Sequence, residues 1–302
     1  MRKRTLAVVL IALVAPAALL AAQGKFDRTL SVSGPVTLDL TAGSGNVTLR
    51  TGSSSQVVIH GAVHANNSWF GGGDESVVRS VENNPPIEQN GNNIRIGYNL
   101  PEDVKRHVSI SYEVTVPPDT SLQGHTGSGN IGVEGLRKGA AVTTGSGDVT
   151  LRDIGASSNA HTGSGSIKAQ DVSLPFTAHT GSGSIEADLT GSGDAEVQTG
   201  SGSVRLRGVK GGLRGRTGSG DLTVDGTVGG SWNLHTGSGS VRMALGSGQG
   251  FNLYAHTGSG SVHSDLPITV QGSLNRHELK GSVRGGGPEV DVSTGSGDID
   301  IR

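Results

Sequence analysis

Apolar or small residues alternate with polar ones along most of the chain, in runs of about five residues. In one unit Ala160 and Thr162 flank His161, and after a turn Ile167 and Ala169 continue the alternation. A period of two places successive side chains on opposite faces of a β-strand. The turn between these two runs is Gly-Ser-Gly. Each unit therefore predicts a strand, a turn and a second strand, with one buried and one exposed face.

The Gly-Ser-Gly tripeptide recurs with a period near 18 residues, and this period decides the predicted fold. Glycine or proline punctuates the chain midway between the turns, so each period holds two short strands. We interpret Lys280-Gly281-Ser282-Val283 as a degenerate copy that fills the gap before the last turn. A period held over most of the chain is typical of a protein that stacks like units. The copies begin at Gly43, Gly127, Gly145, Gly163, Gly181, Gly191, Gly200, Gly218, Gly237, Gly246, Gly258 and Gly295.

We predict an all-β protein, a parallel β-solenoid (β-helix) of about ten coils of ~18 residues, with equivalent residues stacked about 4.8 Å apart. Direct stacking of like Thr, Gly and Ser residues would explain why the turn is copied so faithfully. An antiparallel meander is the alternative, because it satisfies the same alternation. The predicted inward set is Val142, Thr144, Val149, Leu151, Ala178, Thr180, Ile185, Ala187, Val197, Thr199, Val204, Leu206, Leu222, Val224, Leu234, Thr236, Val241, Met243, Leu253, Ala255 and Thr257. The predicted outward, charged set is Lys168, Glu186, Arg205, Arg207, Arg242 and Asp300.

The chain divides into three predicted sections. Residues 1–22 have a basic start, an apolar run and a small-residue end, which predicts a secretory signal peptide cleaved after Ala22. An uncleaved membrane anchor is the alternative, since the apolar run approaches spanning length. Residues 23–120 predict an irregular, β-rich cap with a short helix starting at Asp74, and residues 121–302 predict the β-solenoid repeats. We expect export, to the periplasm, the cell surface or the medium.

Composition narrows the function further. The chain has 302 residues with 51 glycines, no cysteine and 3% aromatic residues, which disfavours a single thick core and favours thin, repetitive packing. Without cysteine there is neither a disulfide nor a lipid-modified cysteine. The 24 basic and 26 acidic residues are interspersed, so no nucleic-acid partner is expected.

Two features together resemble a known family. A strand-like run, 108–116, ends in Val116-Pro117 just before the repeats, and the repeats themselves read Thr-Gly-Ser-Gly followed by Asp, Ser or Asn. The mature chain resembles the bacterial putative-adhesin β-strand-repeat family, whose function is unknown. That resemblance implies an exported β-helical protein of the cell envelope, and it supplies no catalytic or binding residues.

Histidine precedes the turn threonine in several units and forms a candidate column on the outer face. We expect His161 and His179 to stack on adjacent coils, and His235 and His256 to do the same. Stacked imidazoles could bind zinc or copper, or sense pH. Arg216 stands in the same column and would repel a cation, so a solvated polar ladder is the favoured interpretation. The column comprises His125, Thr143, His161, His179, Gln198, Arg216, His235, Ser293 and His256.

A short polar residue follows most of the turns, in a pattern similar to calcium-binding β-rolls. Serine takes this place in about half of the copies, and hard cations prefer carboxylates. Hydrogen bonding of these side chains to the turn backbone is therefore the favoured interpretation. The acidic and amide members of the set are Asn46, Asn130, Asp148, Asp194, Asp221 and Asp298.

Catalysis finds little support in the sequence. Polysaccharide-processing β-helices need clustered carboxylates, whereas Glu186, Glu196, Asp225 and Asp265 are scattered by the repeat, and Trp232 and Tyr254 are the only exposed aromatics expected in the repeats. We predict a non-enzymatic protein with a structural or adhesin-like envelope role and with no catalytic, cofactor-binding or metal-ligating residue. A polysaccharide-processing enzyme and an envelope-stress ligand-binding protein are the alternatives.

The C-terminal strand suggests a partner surface. The chain ends at 298–302, inside a strand with no cap after it, and an unpaired strand edge invites pairing with another chain. Self-association through this edge is the sharper interpretation. The plainer one is that Asp298, Asp300 and Arg302 protect the edge from pairing. Other candidate partners are an envelope glycan, a peptide or another protein.

Overall fold

A computed structural model describes residues 23–66, 74–246, 248–270 and 275–302, so the predicted signal segment lies outside the described residues, as does Trp69-Phe70. The protein is all-β, with 65% strand and 6% helix. The elements are β1 Gln23–Ser31, β2 Val36–Ala42, β3 Val47–Thr51, β4 Gln56–Ala65, α1 Asp74–Asn83, β5 Ile87–Asn90, β6 Asn93–Ile96, α2 Glu102–His107, β7 Val108–Val116, β8 Thr120–Thr126, β9 Ile131–Glu134, β10 Ala140–Thr144, β11 Val149–Ile154, β12 Ser158–Thr162, β13 Ile167–Ser173, β14 Phe176–Ser182, β15 Ile185–Thr190, β16 Ala195–Ser201, β17 Val204–Ser219, β18 Leu222–Ser238, β19 Val241–Leu245, β20 Phe251–Ser259, β21 Val262–Ser264, β22 Ile268–Val270, β23 Glu278–Val283, β24 Glu289–Ser296 and β25 Ile299–Ile301.

The repeats form two stacks of parallel strands. At the Gly-Ser-Gly turns that recur about every 18 residues, the strand before the turn belongs to what we call the histidine stack, and the strand after it to the charged stack. The extra copies at Gly191 and Gly246 lie at the other corner, where the chain returns to the histidine stack. Partners stay in register: Thr144 pairs with Thr162, and Leu151 with Ala169. The long strands β17 and β18 pass through both stacks and join them into one nearly closed, mostly parallel sheet. This excludes the antiparallel meander and confirms a β-helix-like fold.

The core between the stacks is thin and follows the alternation. Every residue of the predicted inward set is buried, and the predicted outward set remains exposed or half-exposed. Trp232 differs from the sequence prediction of an exposed aromatic. Its side chain is 1% exposed, and its indole N–H donates to the Gly211 carbonyl at 2.9 Å. The register neighbours of Trp232 are Leu213 and Val290, both buried, so the ring continues an apolar column of the core.

Buried threonines connect each turn to the next. The Thr144 hydroxyl donates to the Gly129 carbonyl at 2.8 Å, and the Thr162 hydroxyl donates in the same way to Gly147. Each bond joins the threonine of one unit to the second turn glycine of its neighbour in the stack. The bond therefore satisfies a buried hydroxyl with backbone of the adjacent unit. The same bond is made by Thr126, Thr180, Thr199, Thr217, Thr236, Thr257 and Thr294.

The turn glycines allow the stacked backbones to approach closely. A Cβ atom on Gly147 would overlap the carbonyl oxygen of Gly129, and one on Gly145 would overlap that of Gly127. Close approach of backbones is one of the few situations that only glycine permits. Threonine and glycine in the turn are thus copied for a physical reason.

The order of units in space differs from their order in the chain at the N-terminal end. Strands β2 and β3, joined by the turn at Gly43, pair in parallel with β8 and β9. Residues 36–51 therefore belong to the stack, although the predicted repeat section begins at 121. Outward from them, β6 and β5 continue one stack, and β7, β4 and β1 continue the other.

The cap at this end is bulkier than the repeats. Helix α1 spans Asp74–Asn83 and buries Val78 and Val81. Phe26 and Tyr112 meet edge to face with ring centroids 6.3 Å apart. Burial raises the pKa of the Tyr112 hydroxyl. Larger side chains here close the core at the end of the stack, as repeat proteins require.

The C-terminal end contains a second reordering. Strands β24 and β25 lie between the units β18–β19 and β20–β21, and pair with both. The interpretation of 280–283 as a degenerate copy is wrong, because β23 runs antiparallel to β20 and pairs with β22 beyond it. The premise of an unpaired C-terminal edge is also wrong, since β25 has a partner on each side. A Gly-Ser pair alone does not distinguish a stacked unit from a capping hairpin.

Candidate functional site

The outer side of the histidine stack, which we call the histidine face, presents two columns of polar side chains. The inner-to-outer alternation of each strand places one column at every second position. The first column continues the set of histidines seen in the sequence, in the spatial order Thr41, His125, Thr143, His161, His179, Gln198, Arg216, His235, Ser293 and His256. The second runs parallel to it as Asp39, Gln123, Ala141, Asn159, Thr177, Glu196, Arg214, Asn233, Asp291 and Tyr254.

One predicted histidine pair forms and the other does not. His161 and His179 are register partners, with ring centroids 4.9 Å apart and planes inclined by 53°. His235 and His256 are separated by Ser293, because β24 lies between their strands. His235 Nδ1 instead lies 3.0 Å from the Ser293 hydroxyl. The predicted stacking of His235 on His256 is therefore wrong, because the units are not stacked in chain order.

The rings of His161 and His179 are partly buried, although both belong to the outer column. Burial, with a smaller contribution from His179, lowers the pKa of His161. The Nε2 atom of His179 is buried and has no hydrogen-bond partner among the described residues. A neutral imidazole with a free nitrogen lone pair is able to accept a proton or a metal ion.

A cluster of Tyr98, Asp39 and Arg95 borders the histidine face near its N-terminal end. The Tyr98 hydroxyl donates to Asp39 at 2.5 Å, and the Arg95 guanidinium lies 4.2 Å from the centre of the Tyr98 ring. Burial and the Asp39 carboxylate raise the pKa of Tyr98. A groove of about 230 Å³ separates this cluster from His125 and His161. The sequence did not reveal this cluster, because Tyr98 follows the hairpin β5–β6 and lies outside the repeated units.

A larger groove, of about 500 Å³, crosses the histidine face beside the second corner of the coil. Its polar lining includes Thr177, Glu196, Arg214 and Asn233, one from each of four neighbouring units, above the buried ring of Phe176. Hydroxyl, carboxylate, guanidinium and amide groups supply donors and acceptors along one line. The groove therefore suits an extended polar ligand.

The polar residues after the turns hydrogen-bond from unit to unit. The Asn130 side-chain oxygen accepts the Asp148 N–H at 2.9 Å, and the Asp148 carboxylate accepts the Ser166 N–H at 2.8 Å. Asn46, Asp221 and Asp298 make the same contact, while Asp194 bonds Gly212 at the other corner. Hydrogen bonds from Ser240 and Ser261, respectively, lower the pKa of Asp221 and of Asp298. The structure gives the calcium interpretation no support, since one side-chain oxygen of each of these residues already accepts a backbone N–H.

The outer side of the charged stack, the charged face, carries residues of opposite sign on neighbouring strands. Arg207 lies 3.1 Å from Asp188, and Arg242 lies 3.1 Å from Asp221 and 3.9 Å from Asp300. A groove of about 240 Å³ runs over Thr223 and Ala244 between these longer side chains. Such exposed pairs set the register more than they stabilise the fold. The arginines of this groove were predicted as outward residues but not as a group.

The carboxylates considered for catalysis lie apart. Glu196 stands on the histidine face, Glu186 and Asp225 lie on different strands of the charged face, and Asp265 follows the end of β21. Asp265 is 2.9 Å from His263 and 3.9 Å from Arg302. Within the described ranges, no three His, Asp or Glu side chains are grouped so that they could hold a metal ion.

Comparison with known proteins places this fold in a family. The sequence model of the Toastrack DUF4097 family matches residues 37–302. The chain belongs to the Toastrack DUF4097 family. No curated protein matches this Toastrack chain, and no helix in its described portion is both long and apolar enough to cross a membrane.

Two solved structures are similar to this Toastrack chain over most of their length. One is described as a putative cell adhesion protein from Clostridium sporogenes ATCC 15579, with 13% identity, 92% of this chain and 99% of that chain covered, and a TM-score of 0.26. The other is described as a putative adhesin from Bacteroides fragilis NCTC 9343, with 12% identity, 92% and 97% coverage, and a TM-score of 0.31.

Proposed function

We propose that the protein is an exported, non-catalytic β-solenoid of about ten coils with a structural or adhesin-like role in the cell envelope. The observation that carries this proposal is the regularity of the two outer faces. Side chains repeat from unit to unit, and the corner side chains are already occupied by the neighbouring unit. A long, repeating surface suits the binding of an extended partner better than the turnover of a small substrate.

The histidine face is the favoured contact surface. It carries Tyr254, 41% exposed, and is bordered by Tyr98, 38% exposed, and it contains the groove over Phe176. On the charged face Arg207 and Arg242 are engaged by aspartates. An envelope glycan or an extended protein segment would find aromatic and amide groups on the former face and already paired charges on the latter.

Cell fractionation followed by binding of the purified protein to isolated envelope fractions tests this proposal. We expect the native protein outside the cytoplasm and bound to envelope material. A matched pair of variants locates the contact: Arg214→Ala with Asn233→Ala on the histidine face, and Arg207→Ala with Asp225→Ala on the charged face. Loss of binding only in the first pair supports the proposal. A cytoplasmic location, or equal binding by both pairs, contradicts it.

A further inference from the structure

We propose that His161 and His179 together bind a divalent transition-metal ion of the Zn²⁺ class on the histidine face, with water completing the coordination. The proposal concerns these two side chains alone and does not depend on the envelope role. It rests on their geometry, on an unpartnered nitrogen and on the residues around them.

The spacing of the two rings matches a shared metal ion. A Zn–N bond of about 2.0–2.1 Å, added to an imidazole radius of about 1.1 Å, places each ring centroid roughly 3.2 Å from the metal. At a tetrahedral angle the two centroids are then about 5 Å apart. The centroids of His161 and His179 are 4.9 Å apart. Register pairing of β12 with β14 holds them at this distance.

One ring nitrogen of the pair lacks a hydrogen-bond partner. Metal ions bind imidazole through a ring nitrogen that carries no proton. The buried Nε2 of His179 has no partner in the described structure. An unpartnered buried polar atom costs free energy, and a metal–nitrogen bond would remove that cost.

No positively charged side chain lies next to the pair in the register, so none there would repel a metal ion. The register neighbours of the pair are Thr143 and Gln198, and the same strands present Asn159 and Thr177 beside the rings. Glu196, on the strand next to His179, is the nearest acidic position of the second column.

Arg216 was expected to repel a cation from the column. It stands two strands beyond His179, with Gln198 between them. Two strand spacings are about 9.6 Å, close to the Debye length of about 8–10 Å at physiological salt. Its repulsion at the His161–His179 pair is therefore largely screened.

Calorimetric titration of the tag-free protein with ZnCl₂ at pH 7.5 tests the proposal. His161→Gln and His179→Gln each remove one ligand, and glutamine already occupies this column at Gln198. We expect each variant to weaken Zn²⁺ binding by at least about tenfold, the scale on which even indirect ligand partners act. Circular dichroism confirms that the variants remain folded.

His235→Gln and His256→Gln are the matched controls, because these residues share the column but are separated by Ser293. We expect both to bind Zn²⁺ like the native protein. No measurable Zn²⁺ binding by the native protein would overturn the proposal. Binding that survives His161→Gln or His179→Gln, or that falls equally in the controls, would also overturn it.

Two substitutions test the spacing rule directly. Ser293→His inserts an imidazole between His235 and His256, and Thr143→His inserts one between His125 and His161. We expect the first to add a second Zn²⁺ equivalent, and the second to strengthen the existing site. If both variants are folded and leave stoichiometry and affinity unchanged, adjacent imidazoles in this column do not bind metal and the proposal fails.

Discussion

Each coil turns at two corners, the Gly-Ser-Gly corner and a second corner where the chain returns to the histidine stack, and neighbouring units contact each other differently at the two. At the Gly-Ser-Gly corner the same threonine-to-carbonyl bond recurs in every unit except the one at Gly43, where Ala42 takes the place of threonine, and the register runs straight through. At the second corner the register shifts between Ala169 and Val172 and again between Leu206 and Val209. The residues Asp153, Asp171 and Gly208 there have left-handed backbone. The sequence is copied where neighbouring units bond through the corner, and it varies where the chain only has to turn.

The largest expected effect comes from closing the gap between stacked corners. Gly147→Ala would place a Cβ against the Gly129 carbonyl, so we expect a loss of about 3 kcal/mol or more in the free energy of unfolding, at the upper end of overpacking costs. Gly132→Ala is the control, because nothing lies within 4 Å of its added Cβ. Urea unfolding measures both. Equal stabilities for the two variants would refute close contact at the corner.

The threonine bond should have an intermediate effect. Thr144→Val keeps the side-chain shape but removes the donor to Gly129, and we expect a loss of about 1–3 kcal/mol. Thr143 is the adjacent residue on the same strand and is exposed, so Thr143→Val should change stability by less than about 0.5 kcal/mol. Thermal unfolding at matched concentration compares the two. A Thr143 effect as large as that of Thr144 would count against the buried bond.

Much of the fold could be predicted from these local rules, because the inward set and the parallel stack follow from alternation and from the turn period. The order of units could not. A Thr-Gly-Ser-Gly corner bonds equally well to any other copy, so nothing in 289–301 indicates that β24 and β25 sit between earlier strands. For the same reason the turn at Gly43 did not reveal that β2 and β3 join the stack at β8 and β9. The histidine column was visible in the sequence, but its neighbours depend on that order.

The smallest effect concerns the carboxylates at the corner. The Ser240 N–H, with Arg242, lowers the pKa of Asp221. The ionised Asp221 side chain therefore contributes fully to the free energy of unfolding above the ordinary carboxyl pKa of about 4. This contribution is lost as the pH falls through the lower pKa of Asp221 in the folded protein. Asp221 is 45% exposed, so we expect less than about 1 kcal/mol.

Unfolding between pH 7 and pH 2 of the native protein and of Asp221→Ser checks this expectation. Serine occupies the same corner position in other units and should retain the fold while flattening the acid dependence. Asp225→Ser serves as the control, because Asp225 accepts no hydrogen bond from a neighbouring strand in the described ranges. If only Asp225→Ser reduced the loss of stability at acid pH, the attribution of that loss to Asp221 would be contradicted.

Cysteine crosslinking tests the order and register of the stack most directly, since the native chain has no cysteine. A disulfide needs Cα atoms about 4.4–6.8 Å apart, which adjacent strands meet and strands two spacings apart do not. We predict that Ser293→Cys forms a disulfide with His235→Cys in one double variant and with His256→Cys in another, detected by mass spectrometry of a non-reduced digest. His235→Cys paired with His256→Cys should form none. A disulfide in that last pair, with none in the other two, would place the units in chain order and contradict the account.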